Sequence, residues 1–194
     1  MAEERRDELL VVRCQLGERE AFGELVDRWH APLWRYLRHM AGSAHTADDL
    51  AQEVWVAAVR GLPRLRDPAR FAAWLFTIAR RALADHLRHV YAAPRAPLPR
   101  EEDITGDITR DIAGDIAEDG DGRLEEVLDR MEVRAGLDGL PPPEREVLIL
   151  FHLEDLPLAT CSAVLGVPVG TIKSRLVRAR RMLRTTLTER GFEA

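Results

Sequence analysis

The sequence predicts an all-α protein: two small helical domains joined by a flexible acidic linker. Three observations predict it. Apolar residues return every three or four positions from Asp7 to Tyr91, as in Leu50, Val54 and Ala57 or Phe71, Leu75 and Ile78, and no strand alternation competes. Residues 92–123 break that period with three prolines and then DITGDITRDIAGDIAE, in which Asp-Ile recurs every four residues. Helical pattern resumes at Leu124 and runs into VGTIKSRLVRARRMLR, which holds one lysine, five arginines and no acid. The boundaries read as 1–91 for the first domain, 92–123 for the linker and 124–194 for the second.

Composition sets outer bounds. A chain of 194 residues with 46% hydrophobic and 31% charged residues fits a globular protein with two small cores. The opening MAEERRDELL is too charged to be a secretory leader, and no apolar run approaches the ~20 residues that span a bilayer. The expected location is therefore the cytoplasm, without membrane insertion. Cys14 and Cys161 form no CxxC pair, so they read as small apolar packers rather than disulfide or zinc ligands. Net charge is -5, yet nine acids against Arg110 alone lie between Glu101 and Asp121. The chain's acidity thus belongs mostly to the linker, and binding depends on local charge instead.

In the first domain, Gly17, the Ala41-Gly42-Ser43 corner and Gly61 to Pro63 punctuate about four helices with short connections. Thr46, followed by Asp48 and Asp49, reads as a helix cap with acids in the first turn. In the linker the four isoleucines fall on one drifting stripe, but glycines and scarce apolar area leave an isolated helix marginal. LPPPEREVLILFHLEDL then starts a helix with prolines and acids ahead of an apolar run.

LATCSAVLGVPVGTIKSRL has a helix-turn-helix layout: small residues at Ala159 and Ser162, Gly166 at the turn, then a second helix. There Ile172, Leu176, Ala179 and Leu183 share the inward face, while Gly170, Lys173, Ser174, Val177, Arg178 and Arg181 lie opposite. A helix fits the DNA major groove, and arginine or lysine can grip guanine edges or phosphates. A basic run alone would be a solvated face; joined to the Gly-centred turn and the packed stripe it points to DNA.

AFGELVDRWHAPLWRYL, ADDLAQEVWVAAVRGL, FAAWLFTIARRALADHLR, LPPPEREVLILFHL and VLGVPVGTIKSRLVRARRML, in this order and spacing, resemble a bacterial sigma factor of the extracytoplasmic-function group. The likeness covers about residues 18–91 and 137–186. It implies a non-catalytic subunit of RNA polymerase that works without a cofactor and directs initiation at chosen promoters. Its partners would be promoter DNA and core polymerase, through the clamp helices of the largest subunit and the flap of the second largest. An anti-sigma protein is a further expected partner.

Mapped residue by residue, the resemblance assigns minus 35 recognition to Gly170, Thr171, Lys173, Ser174, Arg175, Val177, Arg178 and Arg181. The minus 10 strand falls to Leu65, Arg66 and Phe71 before and at the helix start, with Arg80, Arg81 and Arg88 along it. Core polymerase would meet Asp49, Gln52, Glu53 and Val56, a mixed acidic and apolar strip. Opening DNA costs roughly 1.4 kcal/mol per stacked step and a trapped base returns about 1 to 3 kcal/mol, so the isolated protein should not melt a promoter.

Two departures from the family pattern matter. Arg81 stands where the family has Asn in I-A-R-N, and Pro157-Leu158-Ala159-Thr160-Cys161-Ser162 replaces S-x-x-E-I-A. Both place local base or backbone contacts outside the analogy. In this family the linker threads toward the RNA path, and an acidic tail there would resemble nucleic acid; a plain solvated tether is the alternative.

Two other classes compete. A free-standing repressor or activator would need a dimerisation element, and no zipper is written here. An enzyme built on His45, Asp49 and Glu53 would need metal ligands from other helices, and no matching Glu-x-x-His set exists. Asp85 and His86 have no nucleophile motif or phosphate loop beside them. No metal is therefore expected.

Overall fold

The computed structural model describes residues 2–92 and 135–189. The acidic stretch read as a linker lies outside the described residues. Among those described there is no strand, and no helix is long and apolar enough to cross a membrane.

Helix α1 (Ala2–Gln15) precedes α2 (Arg19–Ala41), with Gly17 at φ +93° reversing the chain between them, a left-handed conformation that costs an L side chain about 1–2 kcal/mol. Arg28 Nε lies 2.6 Å from Asp7 and ties the two helices together. Helix α2 presents Leu25, Leu33, Tyr36 and Leu37, all fully buried, at the spacing of one helical face. It continues through Pro32, which forfeits a backbone hydrogen bond. Burial of each large side chain contributes roughly 1.5–3 kcal/mol, enough in sum to hold the helix together across that break.

Helix α3 (Ala44–Gly61) buries Ala47, Leu50, Ala51, Val54, Trp55 and Ala58, a continuous stripe toward α2 and α4. Its cap is Ser43, whose Oγ accepts from the Thr46 amide at 3.4 Å. Thr46 therefore lies inside the helix, and the expected first-turn acids sit a turn later, where the dipole's pull has fallen off. The left-handed turn at Gly42, φ +81°, starts the helix three residues before the expected cap. Two single turns, Leu62–Arg64 and Pro68–Arg70, lead into α4 (Phe71–Ala92). Trp29 meets Phe71 and Phe76 edge-on at 6.2 Å each, and Tyr36 meets Phe76 at 5.4 Å. Such pairs contribute about 0.5–1.5 kcal/mol beyond burial.

After a helical turn at 135–138, α5 (Pro142–Leu148) runs into a π-helical turn (Ile149–Leu153), then α6 (Leu158–Leu165) and α7 (Val169–Glu189). The π turn closes with the Glu154 amide on the Ile149 carbonyl at 3.0 Å, and the Leu156 amide on the Leu150 carbonyl at 3.0 Å. Leu137, Leu140, Leu148 and Ala179 form a small cluster of their own. Val147, Ile149, Leu150, Leu156 and Cys161, however, join the core built by α2, α3 and α4. The expectation of two separate cores is thereby corrected: α6 lies against α4, and one apolar interior is shared across most of the fold. Apolar residues on the π turn had no other place to leave water, because α5 and α6 are too short to cover both their faces.

Candidate nucleic-acid interface

The C-terminal basic face rests on a tight turn. Gly166 sits at φ +65°, its amide on the Ser162 carbonyl at 2.9 Å, and Ser162 Oγ donates to the Val167 carbonyl at 2.6 Å. Amides of Thr171 and Ile172 then bond the Pro168 carbonyl and begin α7. Ile172, Leu176 and Ala179 are buried, and Leu183 packs on the small cluster, as the period requires. Gly170, Lys173, Ser174, Val177, Arg178 and Arg181 are all exposed on the opposite side. Thr171 and Arg175 stand at the flank, half-buried.

Charge on this face is mostly uncommitted. Among the described residues no acid pairs with Lys173, Arg175 or Arg181. Arg178 Nη1 lies 3.6 Å from the largely buried Glu144, a loose contact for a side chain that is 63% exposed. Arg180, behind the face, donates through Nε to His152 Nε2 at 3.0 Å. Burial first, and the Arg180 charge second, lower the pKa of that histidine.

The α4 surface is organised differently. Leu65 is half-buried, its carbonyl held by Gln15 Nε2 at 2.8 Å, while Arg66 is exposed. Asp67 caps the following turn through the Ala69 amide at 3.2 Å. Phe71 is 1% exposed and packed between Trp29 and Trp74, so its expected place beside a DNA base is corrected to a core role. The buried stripe of α4 starts at its first residue, which is why the ring turns inward. Arg88 is taken by Asp85 one turn before it. Arg80 Nε donates to Glu146 at 3.0 Å, whereas Arg81 is exposed and has no ion-pair partner among the described residues.

On α3 the structure brings together Asp49, Gln52, Glu53 and Val56 as one exposed strip. Neighbouring Asp48 is drawn aside by Trp34 Nε1 at 2.7 Å. Val56 is 45% and Val59 52% exposed, so the apolar part extends one turn beyond the residues expected; continuing the same three-residue step would have found Val59. His45 lies 3.8 Å from Asp49. Among the described residues no three His, Cys, Asp or Glu side chains are placed to hold a metal ion.

The sequence reading missed the contacts between the N- and C-terminal helices. Glu146 Oε1 accepts both Tyr36 Oη at 2.8 Å and Arg80 Nε. Glu154, whose side chain is fully buried, accepts Arg35 Nη2 at 2.8 Å. Burial pushes the Glu154 carboxyl up to about 7 despite Arg35, and desolvation together with Glu146 holds the Tyr36 hydroxyl well above its ordinary value. No local spacing signals these pairs.

Comparison with known proteins places this architecture. The family profile described as Sigma-70 region 2 matches residues 25–90, and that described as Sigma-70, region 4 matches residues 130–183. The chain is similar to the ECF RNA polymerase sigma factor SigC of Mycobacterium tuberculosis, 33% identical over 90% of this chain and 87% of the relative. SigM of the same species is 32% identical over 93% and 84%. Among solved structures, CnrH in complex with the cytosolic domain of CnrY superposes with a TM-score of 0.67 at 28% identity, covering 95% of this chain and 98% of that one. The helix-turn-helix with its basic outer face, the four-helix unit before it and these relatives agree: the chain belongs to the sigma-70 family, among its extracytoplasmic-function sigma factors.

Proposed function

We propose that this sigma factor reads the minus 35 element with the outer face of α7, handles the minus 10 strand with α4 and the turns before it, and docks on the polymerase clamp through α3. The family itself supplies the coarser statement, promoter-specific initiation of transcription together with RNA polymerase by a subunit that is not a catalyst. The observation that supports the finer reading is the pair of opposite surfaces. The outer face of α7 is cationic and, among the described residues, unpaired at Lys173 and Arg181, while α3 shows acids flanking exposed valines. Cations at the first turns of a recognition helix suit guanine edges and phosphates, and an acidic strip with an apolar centre suits a basic helical partner.

The C-terminal unit would also touch the flap of the second largest subunit, and an anti-sigma protein would hold the factor inactive in the cytoplasm, as CnrY's cytosolic domain binds CnrH. Run-off transcription with core polymerase tests the whole. Addition of the chain should move initiation to particular promoters, and Glu53→Lys should weaken assembly with core. Unchanged start sites with the chain present, or unchanged assembly of the charge-reversed form, would refute the corresponding part.

A further inference from the structure

Helix α1 carries an apolar face that no other described element covers. Leu10 and Val11 are buried against the rest of the fold, yet Leu9 is 59%, Val12 40% and Leu16 77% exposed. At 100° per residue these three share one stripe with the exposed Arg5, and the exposed Arg6 lies along its edge. Neither arginine meets an acid among the described residues, whereas Arg13 on the same edge is held by Glu18 and Glu24. Glu8 borders the opposite edge. Three large apolar side chains left in water at helical spacing mark a contact surface rather than scattered exposure.

The charge beside that stripe selects its occupant. Between Glu101 and Asp121 the chain holds nine acids against Arg110 alone, with Ile104, Ile108, Ile112 and Ile116 four residues apart. Side chains repeating every four residues form the ridge that one helix lays into the groove of another. Exposed apolar residues elsewhere suit the repeat less well. Val56 and Val59 on α3 stand beside Asp49 and Glu53, which would repel its aspartates, and Val90 on α4 and Val177 on α7 stand singly. A second copy of the chain is a poorer fit, since three side chains fall short of the roughly 800 Å² per partner that a stable interface takes. Chain length permits the contact. Helix α1 packs on the turn just before α4, and α4 carries the chain roughly 33 Å from there to Ala92. The roughly fifteen residues from Ala92 to Asp107 span up to about 50 Å.

We propose that in the free chain the acidic Asp-Ile repeat seats on the exposed face of α1, its isoleucines over Leu9, Val12 and Leu16 and its aspartates toward Arg5 and Arg6. A helix of the repeat alone is marginal for want of an apolar partner, and the stripe supplies one. Tethering makes up for a small contact. A segment joined to its site by a short tether acts at an effective concentration on the order of millimolar, so a contact too weak for a free peptide is occupied within the chain. Seated there, the repeat leaves the outer cations of α7 unscreened.

The experiment uses the full chain with a photoreactive residue in the stripe, Val12→p-benzoylphenylalanine, irradiated at micromolar concentration and mapped by mass spectrometry after trypsin. Crosslinks should join α1 to peptides 101–110 and 111–123 of the same chain. Arg5→Glu with Arg6→Glu should lower their yield several-fold, and so should Ile104→Ser, Ile108→Ser, Ile112→Ser and Ile116→Ser made together. Asp103→Lys, Asp107→Lys, Asp111→Lys and Asp115→Lys together should also lower the yield, yet restore it when combined with the two arginine reversals. Circular dichroism checks that the helices of each variant persist. Crosslinks that miss residues 101–123, crosslinked dimers on a denaturing gel, or a yield indifferent to the charge changes would each overturn the proposal.

Discussion

Helix α7 and helix α4 both carry arginines along a helical face, and the fold treats them in opposite ways. On α7 the basic residues point to solvent, and among the described residues Lys173 and Arg181 meet no acid. On α4, Arg80 is engaged by Glu146 and Arg88 by Asp85, which leaves Arg81 as the exposed cation without a partner among the described residues. Identical chemistry along the chain thus becomes a solvent-facing cationic surface in one unit and a partly ion-paired one in the other. Surface charge read along one helix counts only when no other element supplies a counter-ion.

The contrast breaks most readily on α7. Replacing Lys173 and Arg181 together by alanine should cost holoenzyme binding to a promoter fragment about 1–3 kcal/mol per residue if they reach bases, or lower the salt slope by about 0.9 for each phosphate they neutralise. Retained affinity with an unchanged slope would show the face to be a solvated surface. Next in size, Gly166→Ala forces a side chain into the left-handed turn that aims α7, and should destabilise the protein by about 1–2 kcal/mol with a matching fall in Tm. Arg81→Asn probes the exposed cation on α4. It should alter base preference within the minus 10 element in run-off assays while leaving stability within about 0.5 kcal/mol, as expected of an exposed residue.

A pH effect sharpens the difference between an open and an engaged surface. Glu154 sits against Arg35, with Asp155 adjacent, and burial raises its pKa from 4.5 to about 7 while the N- and C-terminal helices are docked on each other. Docked protein therefore holds more protons than undocked protein between about 4.5 and 7, so docking is strongest below that window and weakens as pH rises through it. The small-angle scattering radius of the chain should grow as pH is raised through that window, and Glu154→Gln should flatten the response. The smallest effect belongs to Arg88→Ala: its partner Asp85 is exposed, and an exposed pair contributes at most about 1 kcal/mol, so Tm should hardly move.

Much of the α7 site was legible because its information is local. The inward stripe of Ile172, Leu176 and Ala179 fixes which residues face out, and Gly166 fixes where the helix starts; both follow from helical geometry. The α3 strip was legible for the same reason, short only of Val59. Phe71 was not, because an aromatic residue at a helix start fits a core or a stacking role until its neighbours are known, and Trp29 arrives from a helix far earlier in the chain. Thr46 and Ser43 are both capping residues by type, and the turn at Gly42 chose between them.

By itself, then, the sequence determined an all-helical chain, its faces, its basic C-terminal helix and its family, since each depends on spacings of a few residues or on ordered motifs. Only the tertiary structure decided that the two units share an interior, that Glu146 answers Tyr36 and Arg80, and that Glu154 is buried against Arg35. The physical reason is range. Periodicity reports how a helix sorts its own side chains between water and core, whereas a counter-ion from a distant part of the chain leaves no trace in spacing until the chain has folded around it.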